Sequence, residues 1–341
     1  MGIERGILGL TAATIGARWV LRAQRRAAYR LDGKVVYITG GSRGLGLELA
    51  RAYARQGAKL VLVARDEVEL AVAGESIAQR GAEVLTVAAD VSVAGEAKRA
   101  VDAAVERFGH LDVVVNCAGQ IRVGPIEATT LDDLHEGLRG NFWGAANTID
   151  AALPGMRARR QGRIVNVSSI GGLVGVPHLS SYVAGKFALT GYSLTLRAEL
   201  ARHGITVVTV CPGLMRTGSA RHAMFKGDAA IEYAGFRLPA SLPLLSMNAE
   251  RAAERIVRAT REGDARVILT LQAKVAAMLE ALWPEGVATV ASWGSRLVHY
   301  EGGVTPATVG ADVPDLVPEV LTTLDDEAAK RNNEGGRVAH A

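Results

Sequence analysis

KVVYITGGSRGLGLELARAYARQG, Lys34 to Gly57, is the stretch that decides the fold. It opens on a short, continuous apolar run, the pattern of a strand buried on both faces of a parallel sheet. It closes on a helical periodicity ended by Gly57. Gly40, Gly44 and Gly46 therefore fall in a strand-to-helix turn, where missing side chains let backbone N–H groups approach a pyrophosphate at the positive end of a helix.

The alternation continues on both sides of this unit. KLVLVAR is a second strand, followed by a helix over about residues 67–80. EVLTVAAD is a third strand ending at Asp90, and a helix follows over about 94–108. LDVVVN is a fourth strand, RIVNVSS a fifth, ITVVTVCPG a sixth and RVILTL a seventh. Strands alternating with helices at this spacing imply right-handed crossovers. The expected fold is a Rossmann-type α/β, doubly wound parallel sheet of about seven strands flanked by helices.

The 341 residues suit one such domain with extensions at both ends. The expected divisions are a basic, partly apolar helix over 1–30, a catalytic domain over 31–270, a helical extension over 271–300 and an acidic tail over 301–341, flexible apart from a short helix in its middle. Within the domain, the apolar and weakly periodic residues 214–248 read as a substrate lid. Residues 1–30 carry six arginines against one acid and residues 301–341 three bases against eight acids, so the net charge of +4 marks no nucleic-acid face. The N-terminal stretch resembles an interfacial amphipathic helix, so contact with a membrane surface stands beside packing on its own domain. Cys117 and Cys211 lie far from any metal or disulfide spacing, which leaves a reduced, cytoplasmic setting and no metal as the plain expectation.

Chemistry concentrates in SSIGGLVGVPHLSSYVAGK, Ser168 to Lys186. Tyr182 and Lys186 are four apart in a helical segment, so phenol and ammonium share a face. An adjacent cation favours the ionised phenol by roughly 1–3 pKa units. Ser169, just past an apolar strand, offers a hydroxyl to the same place. Asn141 stands inside a helix expected over Thr130–Ala152, where asparagine is a mediocre helix former. On the cofactor side, Thr39, Gly40, Ser42, Arg43, Gly44, Leu45 and Gly46 form the glycine loop, and Asp90 with Val91 can meet an adenine edge. Asn116, Ala118 and Gly119 end the fourth strand, and Pro212, Gly213 and Thr217 form a turn that folds back over the nicotinamide. Arg43 and Arg65 favour NADP over NAD as bidentate donors to a 2′-phosphate. Ala64 holds the place of the ribose-binding acid, and Asp66 with Glu69 reads as a helix cap.

With these pieces in order, the chain resembles the short-chain dehydrogenase/reductase family over about residues 33–270. TGGSRGLG is similar to that family's T-G-x-x-x-G-x-G loop, NCAG to its N-N-A-G with a departure at Cys117, and PGLMRT to its P-G-x-x-x-T turn. Tyr182 and Lys186 form its Y-x-x-x-K motif, with Asn141 and Ser169 at the spacing of its tetrad. The resemblance implies hydride exchange between a nicotinamide and a carbonyl carbon. Tyr182 would act as acid or base and Ser169 as oxyanion donor, with Lys186 on tyrosine and ribose and Asn141 orienting a relay water. It also implies a homo-oligomer. The apolar lid and basic N-terminus point to a lipophilic small-molecule substrate. The rival reading is a dinucleotide-binding sensor or scaffold without turnover.

Overall fold

Val35–Thr39 (β1) is buried at all five positions, and burial on both faces requires a central strand with helices above and below. In the computed structural model, which describes residues 29–297 and 300–334, that strand lies in the middle of a seven-stranded sheet. The other strands are Lys59–Ala64 (β2), Val84–Ala88 (β3), Val113–Asn116 (β4), Gly162–Val167 (β5), Ile205–Cys211 (β6) and Arg266–Ile268 (β7). All pairings are parallel, in the order β7-β6-β5-β4-β1-β2-β3. The order reverses between β1 and β4, which opens a ligand crevice at the carboxyl ends of those two strands.

The period-2 side-chain alternation sorts β1 between two cores. Val36 and Ile38 pack with Leu49 and Tyr53 of helix Gly44–Ala54 (α1), Leu70 of Glu67–Ala78 (α2) and Ile256 further along. Val35 and Tyr37 pack on the opposite face with Ala100 of Ala94–Phe108 (α3) and residues of two later helices. The doubly wound expectation holds in full.

Where one helix was expected over Thr130–Ala152, the chain forms Leu131–Leu138 (α4), a π-helical turn over Arg139–Trp143, and Gly144–Arg159 (α5). Thr130 and Asp133 close a reciprocal cap at the start of α4. Helix Ser180–Leu200 (α6) carries the Tyr182 segment.

Residues 214–248 are more folded than the word lid implies. Met224–Phe225 forms a small sheet with Arg122–Val123 and Thr308–Val309, and helix Ala229–Ser241 (α7) covers it. Phe225, fully buried, meets Tyr233 edge-on at 5.3 Å between ring centroids. Ala249–Glu262 (α8) completes the sheet face. Leu271–Leu282 (α9) and Pro284–Leu297 (α10) follow as a hairpin with Leu282, Trp283 and Trp293 exposed.

The acidic segment departs from the expectation of a flexible tail. Residues 300–334 lie against the domain, bury Val313 and Val317, and form helix Glu319–Arg331 (α11). Composition counts charge segment by segment, whereas these acids find bases elsewhere. Asp326 accepts hydrogen bonds from Arg221 at 2.6 Å and Arg237 at 2.5 Å, and Arg237 also pairs with Asp315. The amphipathic helix expected over 1–30 falls almost wholly outside the described residues. Among those that are described, no helix is long and apolar enough to cross a membrane.

Candidate active site

The glycine loop follows β1 and enters α1. Gly40 and Gly44 have φ of +68° and +56°, and a Cβ at Gly46 would collide with the carbonyl oxygen of Gly40. Only glycine allows this tight cradle. Thr39 ties the loop to the end of β4, its Oγ1 accepting the N–H groups of Cys117 and Ala118, each at 3.1 Å. The departure from N-N-A-G at Cys117 leaves that tether intact, because backbone makes it. Burial pushes the Cys117 thiol up to about 12 against the opposing Lys186 cation, so it stays neutral. Asn116 continues a buried polar ladder, donating to Asn166 at 2.8 Å, which donates in turn to Ser193 at 3.0 Å.

Two glycines draw α4 against α6. A Cβ at Gly137 would strike the Ser181 carbonyl, and one at Gly185 would lie 2.6 Å from the Gly137 oxygen. Backbone-to-backbone contact brings the π-turn beside Lys186. Asn141 Nδ2 donates to the carbonyls of Gln120 at 2.8 Å and Gly137 at 3.1 Å, and its Oδ1 faces the Gln120 N–H at 3.3 Å. π-Turns recur at functional sites because the extra residue re-aims a side chain. At Gly119, the position a Cβ would take lies 2.8 Å from Asn141 Oδ1 and 3.2 Å from Lys186 Nζ, so the two groups converge on one small space.

Lys186 is 4% exposed and donates to the Val167 carbonyl at 3.0 Å. Desolvation lowers its pKa to about 8. Tyr182 is pushed the other way: burial raises its pKa, and a hydrogen bond with Ser169 only partly opposes this. The lowering expected from the ammonium is not what sets this phenol; its own desolvation is. Lys186 Nζ sits 5.6 Å from the Tyr182 ring centroid, while Ser169 Oγ also accepts the Gly171 N–H at 3.1 Å.

Most other expected positions lie beyond the carboxyl ends of their strands. Leu45 and Val91 are buried, and Asp90 Oδ1 accepts from the Ser92 N–H and hydroxyl at 2.9 and 2.7 Å. Burial works against the Asp90 charge, but those bonds hold its carboxyl below the usual range. The Pro212 carbonyl accepts the Ile170 N–H at 2.7 Å, Gly213 abuts Thr270, and buried Thr217 accepts the Ser219 N–H at 3.2 Å. Asp66 is the helix cap, accepting from Glu69 N–H at 2.9 Å. Arg65 is exposed at the end of β2. Arg43 instead donates to Glu69 at 2.9 Å, and Ser42 to the same carboxylate at 3.3 Å. Gln120 was missed by the sequence reading, and Glu69 was read only as part of a helix cap rather than as the acceptor for Arg43 and Ser42. Gln120 directly follows NCAG, and its peptide groups bracket Asn141.

The glycine cradle and the Thr39 tether that fixes it fit the phosphates of a dinucleotide. The family model described as short chain dehydrogenase matches residues 34–225. The chain belongs to the short chain dehydrogenases. Like them, it is an NAD(P)-dependent dehydrogenase/reductase. Among curated relatives it is 40% identical over 193 residues to the 11-beta-hydroxysteroid dehydrogenase-like 4A of Arabidopsis thaliana, covering 56% of this chain and 64% of that protein. Among solved structures, a short chain dehydrogenase/reductase from Burkholderia phymatum in complex with NAD superposes with a TM-score of 0.68 at 27% identity, over 75% of this chain and 96% of that one. A gluconate 5-dehydrogenase from Burkholderia cenocepacia J2315, in complex with NADP and tartrate, gives 0.64 at 28% identity over 72% and 97%.

Beside this short chain dehydrogenase site lie two clefts. One of about 380 Å³ is bordered by His178, Ser180, Arg296 and Tyr300, and the other, of about 350 Å³, by Val176, Val183, Val287 and Ala291. Their outer walls come from α10 and its sequel rather than from residues 214–248.

Proposed function

We propose that this enzyme is an NADP(H)-dependent oxidoreductase that interconverts a carbonyl with a secondary or primary alcohol on a substrate with a lipophilic body. The observation that carries the reading is the convergence of Asn141 and Lys186 on Gly119, with Tyr182 and Ser169 meeting at Gly171 beside them. A sensor needs the glycine cradle but has no use for a phenol bonded to a serine next to a buried amine.

The glycine cradle, the Thr217 turn and Lys186 would hold the dinucleotide, which would supply or take the hydride. The protein's own groups handle the proton. Ser169 donates to the substrate oxygen where charge develops. Tyr182, held neutral by burial, is in the state that protonates an alkoxide, which suits reduction. Lys186, with its pKa about 8, can return a proton to the phenolate that this step leaves and be resupplied through a water oriented by Asn141.

NADP is favoured because the end of β2 offers exposed Arg65, while Asp66 is committed to its helix cap and Glu69 to Arg43. The cleft of Val176, Val183, Val287 and Ala291 favours an apolar substrate body. A panel of steroid, retinoid, acyl-ketone and sugar carbonyls, assayed with NADPH and NADH in parallel, tests the reading. The expectation is turnover of lipophilic carbonyls with NADPH, and a Tyr182→Phe variant that binds NADPH yet loses about 10²–10⁴-fold in kcat. Near wild-type kcat in that variant would remove Tyr182 from the chemistry, and a preference for polar sugars would overturn the substrate class.

A further inference from the structure

The acidic C-terminal segment does more than pack. Helix α11 lays Ala329 against Gly218, directly after Thr217, and the Gly218 N–H donates to Asp325 at 3.1 Å. The chain then crosses to the glycine loop. The Asn332 carbonyl accepts the Gly44 N–H at 2.9 Å, and Arg51 of α1 donates to the Arg331 carbonyl at 2.8 Å. Asn333, in the left-handed region at φ 58°, donates its amide to the Ser42 carbonyl at 3.1 Å.

Glu334 finishes the crossing. It is 4% exposed, and its Oε2 lies 3.0 Å from His222 Nε2 and 3.8 Å from Arg43 Nε. Its Oε1 is 2.5 Å from where a Cβ on Gly44 would stand, and its Cβ is 3.0 Å from the corresponding point on Gly218. A carboxylate therefore sits between the loop and the turn that would hold the dinucleotide phosphates.

We propose that the segment from Glu319 to Glu334 is an intramolecular occupant of the dinucleotide cleft, bound to the glycine-loop donors by its Asn332 carbonyl and Glu334 carboxylate, and displaced when dinucleotide binds. The proposal rests on the reading of that cleft as the cofactor site. One N–H cannot serve Asn332 and a phosphate oxygen at full strength, and a buried carboxylate repels a second anion. The occupant is also poorly satisfied. Glu334 Oε2, Asn332 Nδ2 and both ring nitrogens of His222 are buried without a well-formed hydrogen bond among the described residues. Buried polar atoms left in that state carry a cost, which makes the docked segment replaceable by a better ligand.

Competition of this kind lowers apparent dinucleotide affinity by the fraction of molecules with the cleft free. The test titrates the full chain, a truncation after Pro318, and an Asn333→Ala/Glu334→Ala double variant with NADPH and with NADH, following nicotinamide fluorescence. The double variant leaves the packed face of α11 in place should the truncation fail to fold. Both variants are expected to bind the preferred dinucleotide on the order of fivefold or more tightly than the full chain, a usual size for coupling between sites. Hydrogen exchange of residues 319–334 in the full chain is expected to speed up when NADPH is added. Unchanged or weaker binding by the double variant, or slower exchange with NADPH, would overturn the proposal, the latter by showing a strap that closes over the cofactor. Absence of dinucleotide binding in all three proteins would overturn the cofactor site itself.

Discussion

Lys186 should destabilise the cofactor-free enzyme at neutral pH, and the size of the effect follows from its burial. Its pKa falls from an ordinary 10.5 to about 8, with desolvation as the first cause. At about 1.4 kcal/mol per unit, that drop is on the order of 3 kcal/mol. Between these two values the unfolded chain holds more protons than the folded one, so the lysine's contribution to unfolding free energy rises with pH. The penalty is fully present below pH 8 and fades towards pH 10.5. Buried Tyr37 and Tyr53, whose phenols burial pushes up, and Cys117 and Cys211, pushed up to about 12 and 11, act in the opposite sense at alkaline pH, because the unfolded chain ionises them first. A difference measurement cancels them. Urea unfolding of wild type and Lys186→Met, without cofactor, at half-unit steps from pH 7 to 10, should show wild type gaining on the variant by most of those ~3 kcal/mol. A flat difference curve would mean that Lys186 is solvated in solution and would refute the desolvated amine on which its role as a proton donor near neutrality depends.

Two other substitutions probe the frame around the site. Gly46→Ala places a methyl on the Gly40 carbonyl, so dinucleotide affinity measured by fluorescence titration should collapse along with about 1–3 kcal/mol of stability; wild-type affinity would show that the cradle is not the binding element. Phe225→Ala should cost about 3–5 kcal/mol in urea unfolding, because the ring is fully buried between Tyr233 and Phe236. A loss under about 1 kcal/mol would show that residues 214–248 close loosely, as a lid would, rather than as part of the core.

The seven strands were legible because each is a short apolar run whose partners repeat the pattern, and Tyr182, Lys186 and Ser169 could be proposed as a site because they stand at fixed offsets within one strand-to-helix passage. Legibility stopped where distant partners decide the outcome. Residues 130–152 carry helical periodicity throughout, and what inserts the π-turn at Asn141 is the backbone contact of Gly137 with α6 together with the bonds to Gln120. The Tyr182 pKa was misjudged for a similar reason. Spacing along a helix reports that an ammonium is near, but not that the Tyr182 phenol is itself desolvated, which is what raises its pKa.

The acidic tail extends the same logic to the whole chain. Its eight acids look self-repelling when counted alone, yet Arg221, Arg237 and Arg43 provide counter-charges from three separate elements. Composition describes a segment as if it were surrounded by water, and these acids face arginines instead. Burial is what sets the outcome at both ends of the site. It strips Lys186 of solvent so that its proton becomes labile, and it confines Glu334 against Gly44 of the glycine loop. On the proposed displacement, dinucleotide binding would have to move that carboxylate first, which would make phosphate recognition and tail release a single equilibrium.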